Sequence, residues 1–402
     1  MSTTIIARRP ASIRPSPSIA AKALVTRLRA EGRHIIDLTV GEPDFVTPRS
    51  IVEAAQAAMQ AGDTHYTPSN GTLALRQAVV DKLMRENGLR YTTDDIVVGS
   101  GAKQLIQTAF AATLDPDDEV VVPAPYWVSY PDLAILNDGV PVVVPCLEEA
   151  GFKLSPDQLD AAITPRTKWV VLNSPNNPSG AVYTAAELAA LGEVIERHPR
   201  VLVMTDEIYE HFVYDGQSQV SFGRAVPALR ERSLTINGVS KAYAMTGWRI
   251  GYAAGPRLLT KTMTDLLSQS TTCPSSIGQA AAARALSGEQ TFVVQARATY
   301  ETRRDRAVGL LDAIPGISCK RPAGAFYAYP NVAGLIGRRT PDGTRIADDL
   351  ALAHHLLSAG NVSVMDGTSY GLSPYLRVSF ATSLEAIEAG CAAIARVVAT
   401  LD

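Results

Sequence analysis

Cysteine is scarce in this 402-residue chain, and the four present, Cys146, Cys273, Cys319 and Cys391, lie far apart with no C-x-x-C pair. That spacing suggests neither a disulfide framework nor a thiolate zinc site, and it fits a reducing compartment. No run of 18 or more apolar residues occurs, so no segment reads as a transmembrane helix. The opening stretch MSTTIIARRPASIRPSPS has arginines but no apolar core of signal-peptide length, which makes a cytoplasmic location the expectation. A large charge of either sign is also missing, since 37 basic against 40 acidic residues leave only -3. Without a broad basic field, nucleic acid is not expected as a partner, although a local anion pocket stays open. The six histidines are dispersed, and the adjacent pair His354 and His355 sits in the helical context ALAHHLL, so no metal-ligand cluster emerges.

What is present describes an ordinary folded protein, with 46% hydrophobic and 19% charged residues. A chain of this length exceeds one core, so two domains are expected. Residues 1 to about 18, mixing Pro, Ser and Arg without periodicity, read as an extended arm. Ile19 to Ala30 reads as a helix and HIIDLTV as a short strand ending at Gly41. From about Arg49 to Ala280, Ala-rich helical stretches alternate with the β-branched runs DIVVGS, DEVVVP, TKWVVLN, RVLVMTD, SLTING and RIGYAAG. Strands that are apolar throughout and separated by helices predict an α/β fold with a mostly parallel central sheet covered by helices. In such sheets ligands bind at the carboxyl ends of the strands. Beyond Ala280 the pattern changes to a long helix containing TFVVQARATYETRRDRAVGLLDAI, short strands at AFYAYP and YLRVSFA, and a closing helix. That change marks a second, smaller α+β domain.

Five segments carry candidate chemistry, four of them where a strand runs into a loop. GSGAKQ follows the DIVV strand and opens a helix. Gly101, Ala102 and Lys103 would offer backbone N–H groups and the positive helix end to a phosphate, unless the glycines serve only the turn's dihedrals. The string is neither a Walker loop nor a dinucleotide fingerprint. Trp127 in PAPYWVSYP offers an indole that stacks on a flat ring or fills a core. Asn177 in NSPNNPSG occupies a turn from which its amide would reach a ring oxygen. Asp206 in TDEIYEHF ends the strand RVLVM, where a carboxylate either holds a pyridine nitrogen protonated or caps the next helix, and Tyr209 lies three residues on. Lys241 in NGVSKAYAMTGWRIGYAAG follows SLTI, with Arg249 eight residues later. A lysine in a closed pocket suits a Schiff base, and an arginine fork suits a phosphate dianion.

Together SPNNPSGAVY, TDEIYEH and SKAYAMTGWRIGYAAG, in this order and at these separations, resemble the class I/II pyridoxal-phosphate-dependent aminotransferases, specifically the bacterial aspartate aminotransferase branch. The resemblance covers nearly the whole chain. It implies the fold-type I architecture, a homodimer with active sites shared between subunits, and one pyridoxal 5'-phosphate per chain. The corresponding division is 1–48 as arm and part of the small domain, 49–285 as the large cofactor-binding domain and 286–402 as the small C-terminal domain. Residue by residue, Lys241 resembles the cofactor-carrying lysine and proton carrier, and Asp206 the partner of the pyridine nitrogen. Asn177 and Tyr209 would hold the phenolic oxygen, and Trp127 would stack on the ring. The phosphate would be held by Gly101, Ala102, Lys103, Arg249 and, from the other subunit, Tyr66 of THYTPSNG. Arg377 of YLRVSFA resembles the arginine that binds the substrate α-carboxylate, with the backbone at Gly41 of GEPDF beside it.

Specificity is read from the same resemblance. The second arginine of better-known aspartate aminotransferases is absent from SQSTTCPSSIGQ. In the branch this chain resembles, the distal carboxylate is met by the lysine after the glycine turn and by the arm, here Lys103, Arg14, Ser16 and Ser18. Ping-pong exchange between aspartate or glutamate and 2-oxoglutarate or oxaloacetate is therefore the first expectation. Branch members that also use prephenate carry an arginine, a threonine and this lysine, whereas this chain has Arg14 and Lys103 with Ser18 in the threonine position. An aromatic or prephenate aminotransferase is the alternative, since a movable arm admits large side chains. A fold-type I lyase is a further one. A cofactor-free binding module is the remaining reading, and the set Lys241, Asp206 and Arg377 argues against it.

Overall fold

The β-branched runs lie side by side because each is apolar on both faces and needs cover above and below. A computed structural model describes Ile5, residues 9–13 and residues 15–402 of the chain. Among the described residues the strands are β1 (Ile36–Asp37), β2 (Ile96–Gly99), β3 (Glu119–Ala124), β4 (Val140–Pro145), β5 (Thr167–Asn173), β6 (Leu202–Asp206), β7 (Ser233–Gly238), β8 (Gly251–Ala254), β9 (Tyr327–Ala328), β10 (Val362–Ser363), β11 (Met365–Asp366) and β12 (Leu376–Ser379).

Seven of them form one sheet in the order β2-β8-β7-β6-β5-β3-β4. The pairs from β7 through β6, β5 and β3 to β4 are parallel, and β8 runs antiparallel to both β7 and β2. Six of these strands are the expected runs. The seventh, β4, was not expected: VPVVVP contains two prolines and sits at the sheet edge with Val140 and Val143 exposed, so it lacks the signature of a strand buried on both faces. Leu105, Ile106 and Phe110 of the helix Ala102–Thr113, with Met263 and Leu267 of the helix Arg257–Ser270, cover one face. Leu188, Leu191 and Ile195 of the helix Ala185–Glu196 pack on Val170 and Val203 from the other face.

Beyond it, the sheet β11-β12-β9 is antiparallel and packs with the helices Thr291–Asp312, Asp349–Gly360 and Leu384–Val398 around Leu311, Leu352, Phe380 and Ile394. β1 pairs in parallel with β10, which ties the N-terminal part of the chain to this second core. Tyr209 and Phe212, just after β6, belong to the same cluster. The expected extended arm is corrected in part: Arg9–Ser12 form a 3-10 turn, and the first α-helix, Pro17–Ala30, starts two residues before Ile19. Proline explains the early start, because its fixed φ suits the first helical position and its missing N–H costs nothing there.

Candidate active site

The carboxyl ends of β5, β6 and β7 open on one cavity of 320 Å³. Lys241, Asp206, Tyr209, Asn177, Trp127, Arg249, Arg377, Ala102, Lys103, Gly41 and Ser18 all line it, so the structure brings together most of the residues singled out above. Lys241 lies three residues past β7, where the chain turns through Ser240 to Met245. Its Nζ donates to the Gly41 carbonyl at 2.5 Å and stands 5.8 Å from the centre of the Tyr209 ring. Burial pushes this amine down to about 8, with Glu42 pulling back and the cations Arg377 and Arg249 adding to the push.

Asp206 closes β6 and is buried. The Tyr130 hydroxyl donates to its Oδ2 at 2.7 Å and the Ile208 amide to its Oδ1 at 3.2 Å. Burial still holds the carboxyl above its ordinary range, against these bonds and the Lys241 charge. A carboxylate placed this way gains from a cation facing it.

Asn177 is held by its own amide, which donates to Asn173 Oδ1 at 2.8 Å, and its Oδ1 accepts from Arg377 Nη1 at 3.1 Å. The Tyr209 hydroxyl shares a 2.8 Å hydrogen bond with that of Tyr327, and burial lifts both well clear of ionisation. Arg377 stands on β12, buried, its guanidinium 4.4 Å from the centre of the Tyr327 ring. Nη2 donates to the Thr39 carbonyl at 2.5 Å, while the buried Nε has no protein acceptor.

At the other wall, the helix Ala102–Thr113 begins after Gly101, whose φ of 88° only glycine adopts without strain. A Cβ at Gly101 would run into the Arg249 guanidinium, so a larger residue there would push that side chain from its place. Arg249 donates to the Thr246 and Ser100 carbonyls at 2.9 and 3.1 Å, which parks it at the helix start. Lys103 holds its Nζ 4.9 Å above the Trp127 ring, and burial followed by the Arg249 charge lowers its pKa.

Three expected residues stand apart. Tyr66 is 87% exposed and does not line its own chain's cavity. Ser16 precedes the helix Pro17–Ala30 without a side-chain capping bond and is not in the cavity wall either. Arg14 lies outside the described residues. In return, sequence reasoning missed Tyr130 and Tyr327. Both sit inside quoted strings, PAPYWVSYP and AFYAYP, but a tyrosine in the first turn of a helix, as Tyr130, or on a short strand, as Tyr327, reads first as core.

The donor set fits pyridoxal 5'-phosphate on observations of this chain alone. A lysine amine of lowered pKa enters the cavity, a buried carboxylate awaits a cation, an indole offers a flat face, and a side-chain-free turn at a helix start, with Arg249 over it, suits a phosphate. The unpaired Nε of Arg377 calls for an anion.

Comparison with known proteins agrees. The family model "Aminotransferase class I and II" matches residues 33–394. An aspartate/prephenate aminotransferase from Cereibacter sphaeroides is 50% identical over 384 residues, 96% of each chain. The crystal structure of the aspartate aminotransferase from Rhizobium meliloti superposes with a TM-score of 0.96 at 47% identity, covering 99% of both chains. An aspartate aminotransferase from Thermus thermophilus, solved with maleate, gives a TM-score of 0.91 at 42% identity over 98% of this chain and 99% of that one. A cavity of this composition and these matches together place the chain in the class I and II aminotransferases, as a pyridoxal-phosphate-dependent aminotransferase.

Proposed function

We propose that the chain exchanges amino groups between aspartate or glutamate and the 2-oxo acids 2-oxoglutarate and oxaloacetate. The observation that carries this choice is a cavity with two cations on different elements besides the phosphate corner: Arg377 on β12 and Lys103 on the helix after β2. Among the described residues Lys103 has no carboxylate partner. The relative solved with maleate, a four-carbon dicarboxylate, supports the two-anchor reading.

Bound in this cavity, pyridoxal 5'-phosphate supplies a carbonyl carbon for amines and a ring that withdraws electrons. Lys241 would carry it, Asp206 would face its ring nitrogen, and Asn177 and Tyr209 would hold its phenolic oxygen. Trp127 would cover the ring, with the backbone of Gly101, Ala102 and Lys103 and the Arg249 guanidinium at the phosphate. Asp206 keeps a proton on the ring nitrogen, because a cation opposite relieves the cost of a buried carboxylate. Lys241 Nζ, with a pKa of about 8, exists in both forms near neutral pH and is suited to take the substrate Cα proton and deliver it to the former carbonyl carbon, two bonds away. Arg377 receives the α-carboxylate beside Gly41, using the fork that now contacts Thr39 and Asn177 together with its free Nε. Lys103 meets the distal carboxylate, with Ser18 in the same wall and Ser16 and Arg14 supplied by the arm.

The working unit is a homodimer in the cytoplasm, in which the exposed Tyr66 of each chain reaches the other's phosphate corner. The pairing of β1 with β10 supports the division into 1–48, 49–285 and 286–402, with the first segment joining the last. Prephenate is the second reading, favoured by the name of the Cereibacter sphaeroides relative. The test is rapid mixing of the loaded enzyme with aspartate, glutamate, phenylalanine and alanine, following loss of the visible cofactor band. Fast loss with aspartate and glutamate alone is the expected result. Equal rates with phenylalanine would refute the dicarboxylate choice, and amino transfer to prephenate from the reduced-band form would establish the second reading.

A further inference from the structure

Beside the segment that carries Asp206 and Tyr209 lies a buried cluster of charge that the chemistry above leaves unused. Lys82, the last residue of the helix Leu73–Lys82, is fully buried and ion-paired to Glu210. Its Nζ also donates to Asn87 Oδ1 at 2.8 Å and lies 3.5 Å from Glu86 Oε2. Glu210 accepts three hydrogen bonds: Oε1 from Asn237 Nδ2 at 2.6 Å and from Lys82, and Oε2 from Asn87 Nδ2 at 2.7 Å. Glu86, Glu210 and His211 bring ligand atoms within 4.8 Å of one another, but the Lys82 ammonium already supplies the cation that such a cluster wants.

The connections matter more than the charge. Glu210 adjoins Tyr209 and is four residues from Asp206, while Asn237 lies on β7 four residues before Lys241. One carboxylate therefore ties the segment bearing the ring-facing groups to the strand bearing the lysine, and Lys82 neutralises it from a third element. A buried ion pair rarely adds stability over an apolar pair of the same shape. What it adds is direction, because each bond fixes an angle that apolar packing leaves free.

We infer that Lys82 and Glu210 are a positioning pair that sets Asp206 and Tyr209 against Lys241. This rests on the roles proposed above for those three residues. The test is the double variant Lys82→Met/Glu210→Gln, which removes both charges together and leaves neither uncompensated. Three quantities are read from the loaded enzyme: the pH midpoint of the visible cofactor band, kcat and KM for aspartate, and the thermal midpoint. The expected result is a shift of the band midpoint by about half a pH unit or more, and a fall in kcat of about tenfold with KM within about twofold. A double variant whose band midpoint and kcat equal the parent's, whatever its thermal midpoint, would overturn the inference and leave the pair a packing element. If the double variant does not fold, Asn237→Ala cuts the tie to β7 while sparing the ion pair, and the same two outcomes decide. Failure of the site assignment would show separately, as a Lys241→Ala variant that keeps the parent's band and turnover.

Discussion

Asp206, Asn177 and Tyr209, at one end of the cavity, are 4%, 5% and 4% exposed and stand on a strand end or in turns held by hydrogen bonds from neighbouring strands and loops. Lys103 and Ser18, at the other end, come from the first turns of two helices, are held by a ring contact and by a side-chain contact with the Tyr370 hydroxyl respectively, and are open to solvent in part. The first end is a property of the sheet. The second is a property of whatever leans over it. Chemistry is thereby built into the buried, hydrogen-bonded end of the cavity, and the choice of substrate into parts that change without disturbing it.

That contrast is breakable at several points. Lys241→Ala is expected to lower kcat on every substrate by about 10,000-fold or more, since it removes carrier and proton acceptor at once, and a steady-state assay on aspartate and alanine checks it. Arg377→Ala should cost about 2–5 kcal/mol in kcat/KM for all amino and 2-oxo acids alike, and Arg377→Lys should recover little because an ammonium lacks the planar fork. A loss confined to dicarboxylates would move Arg377 to the other end of the cavity. Tyr130→Phe deletes one charged hydrogen bond to Asp206 and should lower kcat about tenfold with the fold intact. Lys103→Ala should cost aspartate and glutamate about fivefold, in the range of an open ion pair, and leave alanine unchanged.

The gentlest test uses pH on the cofactor-free protein. The Lys241 amine titrates near 8 when folded and near 10.5 when not, so the unfolded chain binds the extra proton between those values. Burying this amine therefore costs stability in full below pH 8, and the cost is relieved as pH rises through that window and is gone above 10.5. An amine-reactive reagent should label Lys241 half-maximally near pH 8, well before surface lysines, and labelling that follows the surface lysines would show the burial to be relieved in solution.

Much of the buried end was legible in the sequence. The six β-branched runs became strands because a strand buried on both faces must be apolar throughout, and the site motifs follow those strands directly. The long helix Thr291–Asp312 was equally plain. What escaped was set by partners far along the chain. Tyr130 meets Asp206 across 76 residues and Tyr209 meets Tyr327 across 118, and nothing local distinguishes such a tyrosine from packing. Nothing in the helical stretch GTLALRQAVVDKLMRENG marks Lys82 as buried, because Glu210, the buried carboxylate that pairs with it, lies 128 residues away. Strand β4 was hidden by its own prolines.

Those prolines have a bearing on how the enzyme behaves in a crowded solution. The amides of Val140 and Cys146 donate inward, to Asp118 and Ala124 at 2.8 and 2.7 Å, so positions 141, 143 and 145 turn their backbone away from β3. Pro141 and Pro145 have no N–H to present, which leaves Val143 as the single outward donor between two rings. An intruding strand finds no ladder to extend. This edge of the seven-stranded sheet is closed to edge-to-edge pairing by two residues that take no part in catalysis.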